Sequence, residues 1–135
     1  MGILAVPLLC DAIRAAPHAK LVCWINLMEK KAETPGWDAA TFVEKLLEYD
    51  IGRDRVAAAF VNVGPIPKRL RTKYWQKDFS KKVAFDRRIE KRMLKFSDEV
   101  ICNDYVDRVA LKQGLIRHDP KKVAGDLVEY LKHVR

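Results

Sequence analysis

The residues best suited to bind a ligand are concentrated between Lys68 and Lys95. This stretch, here called the basic segment, holds twelve of the chain's 26 lysines and arginines but only three acidic residues. Its net charge is therefore +9, against +8 for all 135 residues. Such a cluster attracts polyanions, so the partner is expected to be anionic. On charge alone, nucleic acid, an anionic membrane surface and an acidic protein face all remain open.

Apolar residues at helical spacing predict a helix from about residue 78 to 96. Wound at 3.6 residues per turn, it would carry one continuous basic side formed by Lys81, Arg87, Arg88, Lys91, Arg92 and Lys95. The preceding residues add further cations and two aromatic rings: Lys68, Arg69, Arg71, Lys73, Tyr74 and Trp75. A solvated basic face is the plain interpretation of this pattern.

The same pattern also suits a nucleic-acid interface, because cations can meet phosphates while aromatic rings stack on unpaired bases. The first functional hypothesis is therefore a non-catalytic nucleic-acid-binding protein that uses the basic helix. It would be RNA-associated or a subunit of a nucleoprotein complex.

Two carboxylates, Asp86 and Glu90, fall within the apolar arc of the predicted helix. One turn apart, they could form a pair for metal binding or for general acid–base chemistry. The simpler interpretation is that they pair with Lys82, one turn before Asp86, or with arginines from elsewhere in the fold.

The elements around the basic segment alternate in type. Short apolar runs at 20–27, 55–62 and 98–102 predict strands, and the stretches between them predict helices. This order indicates an α/β fold with a small three-stranded parallel sheet in one domain spanning residues 1–135. An all-helical bundle is the alternative, because periodicity alone cannot separate short apolar runs from buried helix. A fourth strand near residues 2–6, or a partner chain, could complete the sheet.

Each predicted strand ends in asparagine, at Asn26, Asn62 and Asn103. Ligands of open parallel sheets bind beyond the carboxyl ends of the strands, and Arg69 follows the second strand closely. The second hypothesis is therefore an enzyme or sensor that binds a small phosphorylated ligand with these four side chains. The competing interpretation assigns the asparagines to turns and caps.

The third hypothesis is an interaction subunit that docks an acidic protein or a second copy of the chain.

Neither GxxxxGK[ST] nor GxGxxG occurs, and no histidine has a Cys or His at metal-ligand spacing, so no cofactor and no metal are predicted. The dipeptide Asp119-Pro120 predicts the start of the last helix, and His118 just before it could cap that helix or contact an anion.

Three cysteines without paired spacing indicate a reducing compartment. The sequence contains no uninterrupted apolar run of about 18 residues, so no membrane span is expected. The expected location is the cytoplasm.

Overall fold

The structure, a computed structural model, describes residues 7–49 and 55–134 of the chain. One or two helices separate successive strands in this part, and no helix in it is long and apolar enough to cross a membrane. In chain order the elements are α1 (Pro7–Ala15), β1 (Leu21–Trp24), α2 (Ala39–Leu47), β2 (Val56–Asn62), α3 (Lys68–Asp78), α4 (Arg87–Met93), β3 (Glu99–Asn103), α5 (Arg108–Lys112) and α6 (Pro120–His133).

The centre of the fold is β2, which pairs in parallel with β1 on one side and β3 on the other. Every residue of β2 is buried, as expected for a strand covered on both faces. The predicted α/β fold with a three-stranded parallel sheet is therefore confirmed, and the all-helical alternative is wrong. The suggested fourth strand at residues 2–6 lies outside the described residues.

Helices cover the sheet over two apolar clusters. In one cluster, Val43 of α2 and Met93 of α4 are completely buried. In the other, Phe60 of β2 stacks on Trp24 with ring centroids 4.0 Å apart and meets Tyr130 of α6 edge-on at 5.9 Å. Successive side chains of a strand point to opposite faces, so β2 contributes to both clusters. Its carboxyl end, and those of its neighbours, are thereby held in place.

The continuous helix predicted for residues 78–96 is wrong. The first helix of this region, α3, ends at Asp78, and Phe79 then takes a left-handed φ of 51°. Lys82 pairs with Met28 in an isolated antiparallel bridge. The six cations expected on one helix side therefore belong to a loop, to the short helix α4 and to the turn after it.

Asp86 marks the start of α4. Its carboxylate accepts hydrogen bonds from the backbone N–H groups of Arg88 and Ile89, both at 2.8 Å. Asp86 is thus a helix N-cap. The predicted pairing of Asp86 with Lys82 is wrong, because Lys82 Nζ instead donates to the carbonyl of Gly64 at 3.3 Å. The predicted helix start at Asp119-Pro120 is confirmed by the same kind of cap.

Candidate ligand-binding cavity

A cavity of about 1060 Å³ opens beside the carboxyl end of β1. Its walls come from three parts of the chain: the residues after β1, the C-terminal half of α3 with the loop that follows, and the turn before α6. Its lining includes the polar or charged side chains of Asn26, Lys30, Lys31, Tyr74, Asp78, Ser80, Arg117 and His118. The place agrees with the general position of ligands in open parallel sheets.

Backbone hydrogen bonds tie the chain after β1 to the loop after α3. The N–H of Glu29 donates to the carbonyl of Lys81 at 2.8 Å, and the N–H of Val83 donates to the carbonyl of Leu27 at 3.1 Å. Beneath them, Leu27 packs in a buried apolar cluster with Val106. Two walls of the cavity are therefore fixed to each other before any ligand arrives.

Tyr74 connects α3 to the third wall. Its hydroxyl oxygen accepts a hydrogen bond from the backbone N–H of Ile116 at 3.0 Å. No residue of α3 is buried, and this contact links the helix to the turn before α6. The hydroxyl proton of Tyr74 remains available to a ligand, because a phenolic oxygen can accept and donate at once.

The charge of the lining is positive. Lys30, Lys31 and Arg117 contribute three cations and Asp78 contributes one carboxylate. Lys30 Nζ reaches Glu33 at 3.1 Å on the surface, and Lys31 Nζ lies 4.3 Å from the ring centre of Phe79. The guanidinium of Arg117 is exposed, while its carbonyl is fixed by the N–H of Asp107 at 2.9 Å. These groups can hold an anion at the mouth of the cavity.

His118 lies deeper than the cations. Its Nε2 is 3.1 Å from the carbonyl oxygen of Ile25, at the end of β1. Burial lowers the pKa of His118 below its ordinary 6.5, while the hydrogen bond with Ile25 opposes that shift. The imidazole is therefore neutral at pH 7, and no positive charge is assigned to it in the cavity.

Two of the three strand-end asparagines make side-chain hydrogen bonds to other residues of the chain. The side chain of Asn62 is buried, and its oxygen accepts from the N–H groups of Gly64 at 3.2 Å and Tyr105 at 2.9 Å. Its NH₂ group donates to the carbonyl of Gly64 at 3.1 Å. Asn103 donates to Asp126 at 2.9 Å. Within the residues described, only Asn26 of this set lines the cavity.

Arg69 is placed elsewhere. It lies in a separate groove between α3 and α5, together with Lys68, Lys73 and Gly114. The four residues predicted to share one ligand site, Asn26, Asn62, Asn103 and Arg69, are therefore not brought together around one space.

The cations of the basic segment are divided among several surroundings. On α3, Lys68, Arg69, Arg71 and Lys73 are exposed, as are Arg87, Arg88 and Lys91 on α4 and Lys95 after it. Trp75 is 43% exposed and meets Phe79 edge-on, and Lys81 Nζ lies 4.9 Å from the Trp75 ring centre. Arg92 points back to α2, where it pairs with Asp38 at 2.9 Å and Glu44 at 2.8 Å.

Sequence reasoning missed Lys30, Lys31 and Arg117. Each sits in a loop whose course is set by tertiary contacts, and none belongs to a periodic pattern. A weak signal was present, since Arg117 and His118 directly precede the cap Asp119, and residues at a helix start are suited to meet anions.

The chain resembles known bacterial proteins over nearly all its length. It is 35% identical over 129 residues to the "Gluconeogenesis factor" of Bacillus subtilis, an alignment that covers 96% of this chain. It is 31% identical over 123 residues, or 90% of this chain, to the "Putative gluconeogenesis factor" of Thermoanaerobacterium thermosulfurigenes. The chain spans 38% and 35% of the length of these two relatives. No family model matches it.

Solved structures show the same fold. Two crystal structures of a Bacillus halodurans protein, called a member of the UPF0052 family in one of them, superpose on the chain with TM-scores of 0.75 and 0.73. Sequence identities are 25% and 26%, and the match covers 93% of this chain but 37% of the solved one.

These relatives correct the first functional hypothesis. Their names refer to gluconeogenesis, and neither refers to nucleic acid. The predicted nucleic-acid-binding function, with its RNA association and its basic helix as contact surface, is wrong. An acidic protein or a second copy of the chain as partner stays a prediction.

Proposed function

We propose that the cavity beside β1 binds a small metabolite that carries a phosphate or carboxylate group, and that this binding serves a role in gluconeogenesis. The observation that carries the proposal is the convergence of Lys30, Lys31, Arg117 and Tyr74 around one cavity. The relatives' names supply the process, and intermediates of gluconeogenesis carry phosphate or carboxylate groups.

The lining matches such an anion chemically. The guanidinium of Arg117 can bind a phosphate or carboxylate through two parallel hydrogen bonds, whereas Lys30 and Lys31 act as point charges. Tyr74 adds a neutral donor. A volume of about 1060 Å³ is slightly above the usual range for small-molecule sites, roughly 300–1,000 Å³, so the cavity has space for more than the anion itself.

The relatives are longer than this chain, so the proposal concerns the cavity and not every activity of a gluconeogenesis factor. In this proposal the region equivalent to residues 7–134 supplies the anion site.

The proposal can be tested by binding measurements on the purified chain. Thermal shift and isothermal titration would be run with inorganic phosphate, phosphoenolpyruvate, glucose 6-phosphate, fructose 1,6-bisphosphate and citrate. A ligand present at a hundred times its Kd stabilises the folded state by about 2.7 kcal/mol, which is readily detected. We expect at least one organic anion to stabilise the chain, and Arg117→Ala to abolish that effect.

The matched control is Arg88→Ala, which removes the same charge from an exposed position on α4 that does not line the cavity. It should bind the same anion as the unaltered chain does. The proposal is overturned if no member of the panel stabilises the protein, or if Arg117→Ala and Arg88→Ala weaken binding equally, since the effect would then come from net charge.

We also propose a cytoplasmic location. The thiols of Cys23 and Cys102 are free, which is typical of a reducing compartment. Localisation of a tagged full-length protein in cell fractions would test this; recovery from an oxidising compartment would contradict it.

A further inference from the structure

We propose that the ligand of this cavity donates a hydrogen bond to Nδ1 of His118 through a hydroxyl or N–H group, in addition to presenting its anion to Arg117. The inference rests on the proposed function and makes the substrate class narrower: an anion that also carries a hydroxyl or N–H donor, such as a sugar phosphate, and not a carboxylate or a fully ionised phosphate ester without one.

The first step concerns which ring nitrogen carries the proton. The carbonyl oxygen of Ile25 can only accept, and His118 Nε2 lies 3.1 Å from it. Nε2 must therefore carry a hydrogen and donate it. Because burial keeps the ring neutral, Nδ1 then has no hydrogen and presents a lone pair.

The second step concerns where that lone pair lies. Among the described residues, Trp24 Nε1 alone is a side-chain nitrogen or oxygen that is both fully buried and without a partner. His118 Nδ1 makes no hydrogen bond to any of these residues, so it must be reached by solvent. His118 lines the cavity, and the proposal places this accessible acceptor on the side where a ligand would sit.

The unpartnered lone pair of His118 Nδ1 requires a hydrogen-bond donor from the ligand. The oxygens of a carboxylate or of a fully ionised phosphate ester only accept, so they cannot bond to a neutral Nδ1 and would be repelled by its lone pair. The backbone next to it is fixed, because the N–H of Asp119 donates to the carbonyl of Tyr105 at 2.7 Å. The acceptor is thus pre-positioned beside a separate set of cations. A ligand with an anionic end and a donor end satisfies both.

The decisive experiment compares two phosphates that differ in their hydroxyl groups. Glucose 6-phosphate and cyclohexylmethyl phosphate would be titrated into the unaltered chain and into His118→Gln. Glutamine can still donate an amide N–H to Ile25 but offers no nitrogen acceptor in the place of Nδ1. We expect the unaltered chain to bind the sugar phosphate about tenfold more tightly, and His118→Gln to lose most of that preference.

The possible results separate the two proposals. If neither phosphate binds, the proposed function fails for hexose-sized phosphates and this inference fails with it. If both bind equally to the unaltered chain, or if His118→Gln keeps the preference, the anion site stands and the role of His118 is refuted. Should His118→Gln not fold, ¹⁵N NMR of the unaltered chain decides: a ring protonated at Nδ1, or Nδ1 unaffected by glucose 6-phosphate, overturns the inference.

Discussion

Gly64 is the position at which one added methyl group should most damage this fold. The residue is buried after β2, and a Cβ built there would lie 2.9 Å from the Cβ of Asp104 and still closer to its carboxylate. Unbonded carbon atoms do not approach this closely. Either the backbone at Gly64 or the side chain of Asp104 must therefore move in Gly64→Ala.

The cost follows from what Asp104 holds. Its carboxylate accepts from the N–H of Val106 at 3.1 Å, pairs with Arg108 and lies 3.7 Å from Lys122 Nζ. Overpacking typically costs about 1–3 kcal/mol, and loss of a hydrogen bond to a charged group about 1.5–3 kcal/mol. We expect Gly64→Ala to lower the free energy of unfolding by about 2.5–6 kcal/mol, which is the sum of the two costs.

Urea unfolding of the unaltered chain, Gly64→Ala and Gly125→Ala would measure this loss. Gly125 lies within α6, where an added Cβ meets nothing within 4 Å. That control should gain up to about 1 kcal/mol from the higher helix propensity of alanine. A Gly64→Ala protein within about 1 kcal/mol of the unaltered chain would refute the steric reasoning.

Three further predictions concern single side chains. Partial burial alone would raise the pKa of Asp38, but hydrogen bonds from Thr41 and Arg92 hold it below its ordinary 3.8. The ionised carboxylate of Asp38 therefore contributes its full stabilisation above pH 3.8, and this contribution is lost as the pH falls through the folded pKa. Arg92→Ala should remove part of it, so the free energy of unfolding measured in urea titrations should fall less steeply as the pH is lowered. Arg55 donates to three carbonyls at and after the end of α1, at 2.7–3.0 Å. Arg55→Lys should cost about 1–3 kcal/mol by urea unfolding, and an unchanged midpoint would contradict this. Tyr74→Phe removes the acceptor of the Ile116 N–H and should cost about 1 kcal/mol while weakening anion binding in calorimetry; unchanged affinity would remove Tyr74 from the site.

The sheet could be predicted because its signals are local. The seven residues of β2 are all buried, and all except Asn62 are apolar, as is typical of a strand covered on both faces. Once strands alternate with helices, parallel pairing follows from the general rules of chain connection. The observed register, with Asn62 opposite Asn103, placed the two strand ends together as expected. The side chain of Asn62 nevertheless holds the turn after β2, and that of Asn103 donates to Asp126 of α6.

The helix predicted at 78–96 is wrong because the apolar periodicity continues through a stretch in which one helix ends and another begins. The apolar spacing continues through Phe79, Val83 and Phe85, yet the chain breaks at Phe79, whose left-handed conformation ends α3. Asp86 before Arg87 is a typical start signal, although the helical periodicity places it within the apolar arc of one longer helix. Glu90, four residues later, lies in the first turn of α4, where the helix dipole stabilises a carboxylate.

The high charge of the basic segment did not locate the cavity, and the structure shows why. Of its cations, Arg92 forms ion pairs with Asp38 and Glu44. Lys82 donates a hydrogen bond to the backbone carbonyl of Gly64. Most others are exposed on α3 or α4 and face different surroundings. The three cations of the cavity, Lys30, Lys31 and Arg117, all come from outside the segment. An anion is recognised by donors that converge in space, so a cluster of charge along the chain predicts net attraction but not a site.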